Sequence, residues 1–160
     1  MALRKPLVIV NGITQQIPSG DTLDASVSEI DVVTLTNAGG GSAVIGTPVY
    51  ISAADSFQAA RANASGTCDV IGFVRDTSIS ASGSGTVQTD GILTATTTQW
   101  DAVAGTTGGL TAGATYFLSA ATAGQITATA PTSSGQFVTR VGKAISTTSL
   151  EISIQPPIGL

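Results

Sequence analysis

The chain has 160 residues with a net charge of −4, and only 10% of them are charged, against roughly 25% in an ordinary soluble domain. That length supports one domain with a real core, and positive mean hydropathy with little charge excludes the disordered class. Six basic residues and no histidine argue against a phosphate-neutralising nucleic-acid face and exclude every histidine-dependent triad or metal site.

The first predicted element is a β-hairpin. Pro6–Val10 and Ile13–Ile17 flank Asn11-Gly12, a dipeptide that supplies the two positive-φ residues of a type I′ turn. Alternation then sets Val8, Val10, Ile13 and Ile17 on one face, and Leu7, Ile9, Thr14 and Gln16 on the other. A lone hairpin is marginal in water, so this one reads as an arm that docks on something. Met1–Lys5 looks superficially like the start of a signal peptide, but Leu7–Val10 is too short an apolar region. No run approaches the roughly 18 apolar residues of a membrane span. Cytoplasmic synthesis without export, and no membrane partner, are expected.

Asp21, Asp24, Glu29 and Asp31 follow in a polar connector. Their spacing is not that of a calcium loop, and a solvated acidic linker is expected. Residues 1–30 therefore read as arm and linker, and 31–160 as a β domain. Ile30–Thr36 alternates as a strand and is broken by Asn37–Ser42. Ala43–Ile51 is a strand whose Pro48 belongs at an edge or bulge. Phe57–Ala64 reads as strand or irregular chain, Cys68–Val74 as a strand, and Ser78–Gly85 as a loop. Thr86–Thr89 and Ile92–Thr96 flank Asp90-Gly91, a second type I′ signal. Thr97–Val103 joins this half to a second set of strands, near 114–119, 125–129, 136–145 and 150–154. Many short strands with regular turn punctuation indicate an all-β fold.

The chain also repeats itself. Gly46–Ala54 and Gly113–Ala121 align without a gap, matching at Gly, Ser and two Ala positions. Each is followed by a second matching element, Val70–Val74 and Arg140–Ile145, and then by a strand-like tail. Two copies are too few for a solenoid. The expected fold is a compact β-barrel or β-sandwich with an internal pseudo-repeat, its halves at about 43–96 and 110–155, and an N-terminal hairpin arm.

Catalytic constellations are missing from the pattern. No nucleophile elbow occurs, and Gly39-Gly40-Gly41 and Gly83-Ser84-Gly85 lack the Lys-Ser/Thr of a phosphate loop. The carboxylates at Asp55, Asp69, Asp76, Asp90 and Asp101 are scattered, mostly where turns favour Asp. Cys68 stands alone, which excludes an intramolecular disulfide, and reads as a small buried apolar group. A non-enzyme without metal or cofactor is expected. Trp100, the single tryptophan, sits beside the seam between the halves. It fits a buried plug with its N–H bonded; with Tyr50 and Tyr116 it is also the candidate for a sugar-stacking platform.

Three stretches carry a resemblance: Lys5–Gly12 with Gln15-Gln16-Ile17 and Gly20–Leu23; Thr97–Trp100 with Thr106–Leu118; and the ending Ile152–Leu160. Together they resemble small virion proteins of tailed bacteriophages, among them head decoration (cement) proteins and head or tail fibre components. The resemblance covers most of the chain and brings no catalytic residues. It implies an all-β protein, usually a homotrimer, made in the host cytoplasm and fixed by one end to the virion. The chain lacks the repetitive shaft and extended C-terminal head of a complete tail fibre. The expectation is thus a decoration protein on the outer surface of the phage head, partnered by the major capsid protein. The alternative is a fibre module that binds host-surface glycan. Attachment, to an acidic capsid surface or to a neighbouring subunit, is expected through the arm, at Arg4, Lys5, Leu7 and Ile9.

Overall fold

β1 (Leu7–Val10) and β2 (Ile13–Gln16) pair antiparallel, with Val10 opposite Ile13 and Leu7 opposite Gln16. This is the hairpin that the alternation requires. The computed structural model describes residues 30–160 throughout, and before them only these two backbone strands. The Asn11-Gly12 turn and the connector from Asp21 to Glu29 lie outside the described residues.

The first unit of the domain contains β3 (Val32–Asn37), β4 (Ala43–Val44), β5 (Pro48–Ala53), β6 (Ser56–Ala59), β7 (Gly72–Val74), β8 (Ser78–Ile79) and β9 (Ser84–Gln88). Five of them close a barrel in the order β3-β6-β5-β7-β9. The barrel closes through a parallel pairing of β3 and β6, Thr36 opposite Ser56. Alternate residues point inward, so Leu35, Val49, Phe57, Val74 and Val87 fill its interior with Ala43 and Ile79.

The second unit contains β10 (Gly91–Thr94), α1 (Thr97–Ala104), β11 (Thr115–Leu118), β12 (Ile126–Thr127), β13 (Phe137–Val138), β14 (Arg140–Ala144), β15 (Ser149–Ile152) and β16 (Ile158–Gly159). Its sheet runs β12-β11-β14-β15-β10, while β13 and β16 form a separate ribbon. That order is the barrel's own order, β6-β5-β7-β9-β3, written with later strands. The registers agree as well. Val49 faces Gly72 and Tyr116 faces Gly142; Val74 faces Val87 and Ala144 faces Leu150.

The turns that open β5 and β11 match atom for atom. Gly46 and Gly113 both adopt positive φ, 84° and 81°, where a side chain is strained. Their amides donate to the Val74 and Ala144 carbonyls at 2.9 and 2.8 Å. Gly72 and Gly142 are also constrained alike. A Cβ on either would lie 2.4 Å from the carbonyl oxygen of Gln88 or Glu151.

The units differ in closure. β3 pairs with β6 and closes the barrel, whereas the equivalent β10 is a terminal strand of its sheet and leads in the chain to α1. Thr96 is the N-cap: its side chain accepts from the Gln99 amide, while Gln99 Oε1 accepts from the Thr96 amide at 2.8 Å. Gly105 ends the helix in the left-handed region at φ 63°, a common helix stop. The sequence reading assigns no helix here. The Thr-x-x-Gln capping box and Gly105 are the signals of it that the sequence carries.

Two further expectations are corrected. Pro48 is the first residue of β5, which lies between β6 and β7 and is not an edge; a first position needs no ladder donation from proline in that direction. Asp90-Gly91 does not make a hairpin. β9 stays in the barrel with β3 and β7, while β10 crosses to β15. Only Gly91 has positive φ there, and Gln88 Nε2 donates to the Asp90 carbonyl at 2.8 Å. The dipeptide is therefore the crossover between units.

The units pack in layers. Phe73 points out of the barrel into the cluster formed by Leu93, Trp100, Leu110, Tyr116, Leu118, Ile126 and Leu150. The inner face of the second sheet is thereby covered by the outer face of the first unit.

Candidate functional site

Among the residues expected to attach the protein, Arg4 and Lys5 lie outside the described residues. Leu7 and Ile9 take alternate positions of β1, so they share a face of the hairpin.

Of the three rings considered for sugar stacking, two are sealed in the core. Trp100 is 0% exposed and Tyr116 1%. Trp100 Nε1 donates to the Thr148 carbonyl at 2.9 Å, and its ring lies so close to Gly46 that a Cβ there would sit 3.0 Å from the ring edge. The Tyr116 hydroxyl accepts from the Thr111 amide at 3.0 Å. Neither ring offers a face to solvent. Tyr50 is half-buried, its hydroxyl 3.3 Å from Gln58 Oε1. The burial of Trp100 follows from the layer packing. A large ring on the helix fills the side of the second sheet that lacks the strand-to-strand closure of the barrel.

Two concave features among the described residues bear on a site. The larger, a cleft of about 360 Å³, runs between the Gly39–Ser42 loop, α1 and the 122–125 loop. Its walls are Gly, Ala, Ser, Thr, Val, Asn and Gln, with no ionisable side chain. Asn37, buried to 2%, holds this loop. Its Nδ2 donates to the Gly41 and Ile79 carbonyls at 2.9 and 3.0 Å, and its Oδ1 accepts from the Gly39 amide at 2.9 Å. The sequence reading treated Asn37 only as a breaker. The smaller feature is a groove of about 260 Å³ beside β10, lined by Ile30, Ile45, Arg75, Gln88, Ile92, Leu93 and Thr94.

Ionisable groups serve local structure. Asp101 on α1 accepts from the amides of Gly109 and Gly108 at 2.7 and 3.1 Å and from the Thr106 hydroxyl at 3.1 Å. These bonds, that of Gly109 foremost, hold its carboxyl below the usual carboxylate range, against partial desolvation. Cys68 is buried, and burial pushes its thiol up, away from the reactive thiolate. Among the described residues no three His, Cys, Asp or Glu side chains gather as a metal site, and no helix is long and apolar enough to cross a membrane.

No protein-family model matches the chain, and no curated protein matches it either.

Proposed function

We propose that the chain is a non-enzymatic structural protein of a tailed-phage virion, a head decoration or cement protein that binds the major capsid protein lattice. The observation that carries this reading is the marriage of a rigid, doubled β body with a separate β-hairpin arm. Within the body, Asp101 is bonded to the amides of a turn and Cys68 is buried. The cleft beside α1 offers only backbone and neutral side chains, a surface suited to close protein contact rather than to proton transfer. The resemblance of the opening, middle and closing stretches to virion proteins supplies the location. Homotrimeric assembly belongs to the same reading.

The glycan-binding alternative is less well supported, since two of the three rings considered for it are core residues. Mixing the purified full chain with heads of its phage that lack it, then pelleting the heads, tests the proposal. Saturable co-sedimentation at a fixed ratio to capsid protein is expected. No retention on heads, with retention on tails or on host envelope fragments, would overturn it.

A further inference from the structure

We infer that the free edge of β10, with the groove beside it, is the seat for the β1–β2 arm of a second copy of this chain. The inference goes beyond capsid decoration, because it concerns how copies hold one another whatever they are mounted on.

β10 is the terminal strand of its sheet. The Ala95 amide donates to the Thr148 carbonyl at 3.0 Å, and the β10–β15 register continues from that pair. Bonded and non-bonded pairs alternate along an antiparallel ladder, so positions 91, 93 and 95 bond to β15. The amides and carbonyls of Ile92 and Thr94 point the other way, along an edge that carries no strand among the described residues. The groove is lined by Ile92, Leu93 and Thr94 of β10 and by residues of the first unit, none of them on β15. Ile92 is 46% exposed, and Val32, opposite the groove residue Gln88, is 43% exposed. An unpaired strand edge beside apolar side chains is what strand addition requires.

The arm fits this seat. β1–β2 is a sheet of two strands, each with an outer edge to offer, and such a hairpin gains stability by joining a larger sheet. Its alternating branched residues would place one set in the groove. Arg4 and Lys5 precede β1, and Asp31 follows the groove residue Ile30 in the chain, while Arg75 lines the groove itself. Ile30, where the arm's connector reaches the body, is itself a groove residue. Extended, stretch 17–29 spans roughly 45 Å at about 3.3–3.6 Å per residue, enough to carry the hairpin to the same groove of a neighbour. Repeated around a ring, this exchange satisfies every arm and every edge with one contact type, as closed symmetry requires.

Thr94→Pro removes an outward amide while leaving the Leu93 and Ala95 amides on β15, and Ile92→Lys charges the groove rim. The full chain should sediment as an oligomer at micromolar concentration. Both variants should sediment as monomers with the parent's circular dichroism and thermal unfolding. To show exchange, chains carrying Cys68→Ala and Thr14→Cys are co-refolded with chains carrying Cys68→Ala and Thr94→Cys, then treated with a flexible bismaleimide. A covalent pair of the two different chains is expected. Oligomers that survive both groove substitutions, the absence of mixed pairs, or coupling confined to one chain when both cysteines are on it would overturn the inference. Failure of head binding alone would sink the capsid proposal and leave this one standing.

Discussion

At the scale of single residues, Gly72 and Gly142 do the same work in the two units. Each sits where its strand passes so close to the neighbouring one that a Cβ would collide with a backbone carbonyl at 2.4 Å. Backbone cannot step aside as a side chain tip does, so Gly72→Ala and Gly142→Ala should each destabilise by about 1–3 kcal/mol or more. Denaturant titration of both variants checks this, and a neutral Gly142→Ala would refute the equivalence. Trp100 is the opposite case, a large ring rather than a missing side chain. Trp100→Ala should cost about 3–5 kcal/mol, the range for emptying a large aromatic site, read by the same titration. Asp101 makes a pH-dependent contribution. Its folded pKa is lowered, so its stabilisation is present above the unfolded value, near 3.8, and is lost as pH falls through the still lower folded value. Thermal unfolding of the parent and Asp101→Asn should therefore differ at neutral pH, and the difference should shrink progressively as pH falls below the unfolded value. A difference that stays constant as the solution is acidified through that range would contradict this role.

At the scale of elements, the strands were legible and their partners were less so. Alternation marks β3, β11 and β15 because one face of each meets a core, whereas β7 is buried on both faces. The repeat was legible because Gly46 and Gly113 must both be glycine-like at positive φ, and Gly72 and Gly142 must both lack a Cβ. The crossover at Asp90-Gly91 was not legible. A dipeptide that favours a tight turn says nothing of whether the next strand returns to its neighbour, and here β15, 58 positions beyond β10 by its Gly91–Ser149 spacing, is the better partner. α1 escaped because eight residues give too few turns for a clear helical period. Its cap was the usable signal. Thr96→Ala should cost about 0.5–2 kcal/mol, and an unchanged unfolding midpoint would show that tertiary packing alone holds the helix. The candidate site was the least readable part. Trp100, Tyr50 and Tyr116 carry the same sequence-level potential for stacking or burial, and only the layer packing separates two core rings from one half-buried one.

At the scale of the whole molecule, the two units are stacked copies whose outer faces have opposite fates. On the first unit, Phe73 stands opposite Gln88, and both are buried by the second unit, at 0% and 1% exposure. At the equivalent positions of the second unit, Lys143 stands opposite Glu151, and both are exposed. Two charges on the outer sheet keep that face in water and end the stack, much as polar caps end repeat arrays. Replacing them with the first unit's pair, Lys143→Phe with Glu151→Gln, should cause concentration-dependent self-association by light scattering, without loss of fold. A double variant as dispersed as the parent would show that the charges have no such part. In the proposed assembly the doubled body is the mount, and the arm and the β10 edge join the copies.

We propose that such joined copies sit on a phage head, and electron cryomicroscopy of virions that carry the chain tests this most directly. The account predicts the doubled β body at symmetry-related positions on the outer capsid lattice, absent from heads that lack the chain. Density for it only at the tail, or in no part of the virion, would contradict it.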